Sequence, residues 1–176
     1  QGVDFSKIEI KVNKVSNNFY TLDGNGGTIG VLTGPDGVFM VDSQFAPLSD
    51  KIAAAIKTVS DKPIRFMVNT HVHGDHTGGD ENFGKMGVTI IAREELRNRL
   101  AHPNPLANGQ PAPVMPNVGL PMVTYQGQMV MHMDGGTREH FMAILQREGL
   151  DLARRTIAKY REELKIPTSN QRKVLY

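Results

Sequence analysis

The stretch "IRFMVNTHVHGDHTGG", residues 64 to 79, constrains the fold of this chain more than any other. Its first half is an apolar run of strand length, bounded by turn-forming residues. Its second half sets His71, His73, Asp75 and His76 within six positions. A buried strand that runs straight into imidazoles and a carboxylate implies a sheet with a polar site at one strand end. Extended backbone there projects His71 and His73, two apart, to one side. Gly74 is free in φ, so the chain can turn and aim Asp75 and His76 at a neighbouring position. That spacing suits two adjacent metal ions better than one. The chain has no cysteine, so a metal must be held by nitrogen and oxygen, and a disulfide framework is excluded. Three imidazoles and a carboxylate favour zinc, and iron and manganese also accept such donors.

The 176 residues fit one domain, 1–176, able to bury roughly two-thirds of its unfolded surface in a single core. A formal charge of +2 and 6% aromatic residues are too little for a nucleic-acid footprint, so the expected partner is a small-molecule substrate and not DNA or RNA. Basic residues gather after Gly135 (Arg147, Arg154, Arg155, Lys159, Arg161), but Glu148, Asp151, Glu162 and Glu163 are interspersed, as on a solvated helix. No apolar run approaches a membrane span, so no membrane partner is expected. The first residue is Gln1 and not methionine, which fits either a removed leader or trimming at that end; a periplasmic or secreted location is favoured over a cytoplasmic one without being fixed by it.

Along the chain, "IEIKV" (8–12) and "NFYTL" (18–22) read as strands. "TIGVLTGPDGVFMVD" (28–42) reads as a hairpin turning at Gly34-Pro35-Asp36-Gly37. Leu48, Ile52, Ala55, Ile56 and Val59 recur at helical spacing after Pro47. "DGNGGTIG" (23–30) does not fit a phosphate-binding glycine motif and leads into a strand, so a flexible turn is expected. "VTIIA" (88–92) reads as a strand and "REELRNRLA" (93–101) as a helix. The prolines between Pro103 and Pro121 forbid regular structure and predict a long surface loop, a candidate for substrate contacts. "MVTYQGQMVMHM" (122–133) predicts a hairpin turning near Gln126 and Gly127. Two helices are expected to close the chain, Thr137 to about Glu148 and about Leu150 to Leu164.

"HVHGDH" is similar to the His-x-His-x-Asp-His signature of the metallo-β-lactamase superfamily. The surroundings resemble that family too: a hairpin ending "VFMVDS", a helix, a strand, then the motif followed by "TGG". The likeness runs from about 8 to 135, with 136–176 a helical C-terminal segment. It implies an α/β fold, the αβ/βα sandwich of two mixed sheets with helices outside and metals at one edge, here incomplete in its second half. By this resemblance His71 and His73 would bind a first zinc and Asp75 and His76 a second, and Asp42 would orient the loop from behind the ligands. The implied chemistry is hydrolysis. Zinc brings the pKa of bound water to near neutrality, and the hydroxide attacks an ester, thioester, lactone or lactam, with Asp75 orienting it as the catalytic residue. Histidine at position 73 favours a zinc hydrolase over di-iron relatives, which have glutamate there; mono-iron dioxygenases share the histidine pattern.

The family completes its site from the second half of the chain, and none of those later motifs is found here. His132 and Asp134, two apart on an expected strand, match a region without ligands; His140 is expected in the first turn of a helix, and His102 in a loop. Two zinc sites therefore require ligands from elsewhere. If the chain is truly short, the inner face of its sheet lies open, which predicts a homo-oligomer, and the rival to an enzyme is a non-catalytic or weakly active binding or assembly module.

Overall fold

The structure is a computed structural model that describes residues 2–132 and 140–143. The chain divides into two compact units, Gln1–Leu145 and Gln146–Tyr176, and the described residues all belong to the first. Seven strands form one mixed sheet in sequence order: β1 (Lys11–Lys14), β2 (Phe19–Asp23), β3 (Ile29–Gly34), β4 (Gly37–Val41), β5 (Ile64–Val68), β6 (Thr89–Arg93) and β7 (Val123–Tyr125). The first four are an antiparallel meander, and β4 to β7 are parallel. The change of sense follows from the connections. A two-residue turn returns β3 into β4, whereas helices cross between the parallel strands. These are α1 (Ser49–Lys57), the short α2 (Gly74–Thr77) and α3 (Asp80–Lys85), and α4 (Glu94–Ala101).

The helices lie on one face. Val38, Met40, Met67 and Ile90 point to a core shared with Leu48, Ile52 and Ile56 of the α1 region and Phe83 of α3. Ala92 continues that face under Leu96 and Leu100 of α4. Alternate residues Phe39, Val68 and Ile91 point to the opposite face, where Met129 and Met131 pack on them. Burial on both faces explains why β4 and the last three residues of β5 (66–68) read as unbroken apolar runs with no alternation.

Most of the expected elements are present, and four differ. The strand expected at 8–12 begins only at Lys11. The Lys51 ammonium donates to the carbonyls of Phe5, Ser6 and Ile8 at 3.1, 2.7 and 2.7 Å, so these groups are engaged outside the sheet. The expected hairpin of 122–133 does not form. Its first strand, β7, joins β6 in parallel, and its second, β8 (Met129–His132), pairs antiparallel with β9 (His140–Ala143). The segment expected to turn is tied back to the end of β6 and the start of α4, because Arg93 Nη2 donates to the Gln126 carbonyl at 2.9 Å and Gln126 Nε2 to Glu94 at 2.7 Å. The helix expected from Thr137 is a strand over 140–143. His140 sits there opposite His132, not in a helical first turn. The remainder of that helix, Asp134, and the helix expected at about 150–164 lie outside the described residues. Helix α3 was not expected from the sequence, since Gly78, Gly79 and Gly84 weaken its helical signal. The proline-bearing loop is irregular as predicted apart from one 3-10 turn at Asn117–Gly119. Its end is anchored to α4 by Met115 N–H to the Leu100 carbonyl (3.2 Å), and a Cβ at Gly84 would overlap the Val118 carbonyl, so it also lies directly on α3.

Candidate metal centre

The site is built at the carboxyl ends of the adjacent parallel strands β4 and β5, the place where open α/β sheets present their ligands. Asp42 follows β4 directly and is 3% exposed, with φ of 66°. Left-handed backbone at a residue other than glycine costs of order 1–3 kcal/mol and must be held by its surroundings. Here the holding groups are visible. Asp42 N–H bonds the Val68 carbonyl at 2.9 Å, and its carboxylate accepts from Thr70 N–H and Thr70 Oγ, both at 2.7 Å. The same carboxylate lies 2.8 Å from His76 Nδ1.

This network sets two imidazoles. His76 directs Nδ1–H to Asp42, which turns Nε2 toward Asp75, 3.4 Å from its Oδ2. Thr70 Oγ spends its hydrogen on Asp42, so toward His71 Nδ1, 3.0 Å away, it can only accept. His71 then carries its proton on Nδ1 and presents the Nε2 lone pair, 3.1 Å from His73 Nδ1. The His71 and His76 rings are 3.9 Å apart between centroids. Burial, followed by the neighbouring His76, holds the His71 imidazole below the usual histidine range, and the neutral ring is the form that binds metal.

The two donor pairs fit metal chemistry. Ligands at about 2.0–2.1 Å from a tetrahedral ion stand about 3.3 Å apart, close to the separations between His71 and His73 and between Asp75 and His76. Each pair can thus bracket one ion. Among the described residues no three His, Cys, Asp or Glu side chains converge on a single point, so each pair supplies half of a complete set. The five residues singled out from the sequence are brought together: His71, His73, Asp75 and His76 around the turn, and Asp42 behind it.

Three further contributors were not read from the sequence. Thr70 links Asp42 to His71. Ser43 receives the Gly79 N–H at 3.1 Å and lies 3.0 Å from the His76 carbonyl. The glycine turn after Asp23 is the third, and it is a wall and not a loose connection. A Cβ on Gly26 (φ +92°) would lie 2.6 Å from Asp75 Cβ, and one on Gly27 would overlap the His76 ring. Thr70 is adjacent to His71 in sequence, which is the one signal that pointed to it.

Removing the group behind the ligands has a definite expected result. Asp42→Ala should weaken metal binding by about 10–100-fold, the usual effect of deleting a ligand's hydrogen-bond partner. Competition against a chromophoric chelator measures it, and an unchanged affinity would show that the network does not orient His76.

Residues 22–151 match the family model of the metallo-beta-lactamase superfamily, and residues 137–174 match that of the sigma-54 DNA binding domain, so the two overlap over 137–151. Over 73 residues the chain is 37% identical to a linear primary-alkylsulfatase of Pseudomonas sp., covering 38% of this chain and 14% of that protein. Over 32 residues it is 66% identical to the RNA polymerase sigma-54 factor of Acinetobacter guillouiae, covering 18% of this chain and 7% of that protein. Among solved structures it superposes on a class B3 di-zinc metallo-beta-lactamase from an Alaskan soil metagenome with a TM-score of 0.63 at 17% identity, covering 77% of this chain and 52% of that one. The chain therefore spans a small part of these curated relatives and about half of that structure. With the mixed sheet, the strand-end turn and a family match extending over most of its length, the chain belongs to the metallo-beta-lactamase superfamily.

Proposed function

We propose that the chain is a zinc-dependent hydrolase of ester-type bonds: an ester, thioester, lactone or lactam. The observation that carries this reading is the pair of donor sets, His71 with His73 and Asp75 with His76, each at tetrahedral-edge separation and backed by Asp42. Zinc bound there supplies Lewis acidity and a nucleophile at neutral pH. The protein's own residues do the rest. Asp42 and Thr70 fix the histidine tautomers, and the Asp75 carboxylate, 36% exposed beside His76, is placed to accept a proton and orient the attacking oxygen. The Pseudomonas sp. relative is a linear primary-alkylsulfatase, which adds a sulfate ester to the bonds worth testing. Iron or manganese would use the same donors. Each donor set is half complete among the described residues; if the chain is truly short, the working form is a homo-oligomer or an assembly that brings the remaining ligands.

Metal analysis of the purified chain, paired with a hydrolysis panel of these bond classes, tests the reading. Bound zinc and a chelator-sensitive turnover are expected; a chain that holds no metal and turns over none of the panel would end it.

A second reading has its own support. The match of 137–174 to the sigma-54 DNA binding domain, in a segment that concentrates Arg147, Arg154, Arg155, Lys159 and Arg161, favours a binding or assembly module whose tail engages DNA. Duplex DNA binding whose affinity falls steeply with salt supports it, because phosphate neutralisation releases counterions. Binding that is absent at low salt opposes it.

A further inference from the structure

The buried acid Asp80 takes no part in the chemistry just described, yet it sits beneath the turn that carries the ligands. Asp80, Asn69 and Ser43 are each fully buried. Asp80 Oδ1 accepts from Ser43 Oγ at 2.7 Å and from Asn69 Nδ2 at 3.0 Å. The same Ser43 hydroxyl accepts the Gly79 N–H, and Ser43 N–H bonds the His76 carbonyl at 2.8 Å. Asp80 thus touches, through one side chain, both ends of the turn from His76 to Gly79 and the end of β5.

Two buried oxygens in this cluster have no partner among the described residues: Asp80 Oδ2 and Asn69 Oδ1. With Asp80 ionised both are acceptors only, and neither can satisfy the other. A proton on Oδ2 converts one of them into a donor, and the two orphans belong to side chains already bonded through their other atoms. A carboxylic acid and an amide joined at one edge can close a second, reciprocal bond at the other. We propose that Asp80 is a positioning residue held as a neutral acid, its Oδ2–H donating to Asn69 Oδ1, and that this acid–amide pair locks the His76–Gly79 turn.

The electrostatic surroundings agree. Burial is the main cause that pushes the Asp80 carboxyl up to about 8, Ser43 and Asn69 oppose the rise, and Asp42, of like charge, adds to it. Helix α3 packs on the 3-10 turns Ala46–Leu48 and Asn117–Gly119, which carry no ionisable group, and on β6, whose Arg93 is engaged by Glu95. Glu81 and Lys85 on its own helix pair with each other at 2.6 Å. Within the turn above, the His76 imidazole is directed to Asp42. No cation is placed to draw the proton off Asp80 among these elements. A folded pKa above the unfolded one means that the native state binds the extra proton between about pH 4 and 8. The contribution of Asp80 to stability is therefore greatest below that window, falls as pH rises through it, and is level above.

The inference rests on the metal-centre reading for its purpose, and its test is independent of metal. In the metal-free chain, carboxyl carbon chemical shifts should show Asp80 protonated at pH 6.5 and titrating near 8. Hydrogen exchange of the Gly79 amide, shared between Ser43 Oγ (3.1 Å) and the Gln44 carbonyl (3.0 Å), and of the Ser43 amide, which bonds the His76 carbonyl, reports the lock. Asp80→Ala should speed it by about 10-fold or more. Asp80→Asn, which keeps a donor for Asn69 Oδ1 and an acceptor for Ser43, should leave it within about threefold and remove the fall in melting temperature between pH 5 and 8. An Asp80 ionised at pH 6, or Asp80→Asn exchanging as fast as Asp80→Ala, overturns the proposal. If zinc fails to bind while these results hold, the hydrolase reading fails and the acid–amide lock stands.

Discussion

His71→Ala is expected to remove metal binding at the candidate centre while leaving the fold in place. His71 Nε2 is one half of the pair that brackets an ion with His73 Nδ1, and a single remaining imidazole loses the advantage of two preplaced donors. Deleting even a partner behind a ligand weakens metal affinity by about 10–100-fold, so losing the ligand itself should cost at least about 100-fold, and hydrolysis should fall to background. The fold has less at stake. His71 lies after the end of β5, is partly exposed, and its ring makes two hydrogen bonds, to Thr70 Oγ and His73 Nδ1, so the stability change should be roughly 2 kcal/mol or less. Isothermal titration with zinc, together with urea unfolding of the metal-free protein, separates the two effects. Tight zinc binding retained by the variant would place the metal elsewhere and remove the basis of the proposed chemistry.

The largest effect on stability is expected at Phe83. Its ring is fully buried among Leu22, Leu48, Ile52 and Met67, and it is the main anchor of a six-residue helix too short to hold itself. Phe83→Ala should destabilise by about 3–5 kcal/mol, the range for emptying a large core position. Against a total of about 5–15 kcal/mol for a typical domain, that is enough to populate unfolded chain at moderate temperature. Because α3 begins with Asp80, the same change should loosen the turn above it. A denaturant midpoint shift equivalent to less than about 1 kcal/mol would mean that the helix is not docked as described.

What the sequence revealed and what it hid have physical reasons. The parallel strands were legible because burial on both faces gives them continuous apolar stretches, as in residues 66–68 of β5 and 90–92 of β6. The candidate donors were legible because they lie within a single turn. Helix α3 was not, since glycines at 78, 79 and 84 serve close backbone approaches that no local pattern announces; a Cβ on Gly78 would stand 2.5 Å from the Gly74 carbonyl. The hairpin at 122–133 failed for a related reason. Strand pairing is decided by which edge is open: β7 takes the free edge of β6 in parallel, and β8 pairs with β9 instead. Thr70 and Ser43 act through hydrogen bonds across 28 and 37 residues of chain, to Asp42 and Asp80, distances over which a single sequence carries no pattern. The likeness of 137–174 to a DNA binding domain was hidden behind alternating charges, which resemble any exposed helix.

The turn that seals the site at Gly26 and Gly27 has a consequence for how such a pocket diversifies. A partition made of bare main chain offers nothing to exchange by point mutation, because every replacement adds bulk against Asp75 or His76. New preferences on that side must come from lengthening or shortening the connection between β2 and β3, so variants with altered selectivity should carry insertions or deletions there.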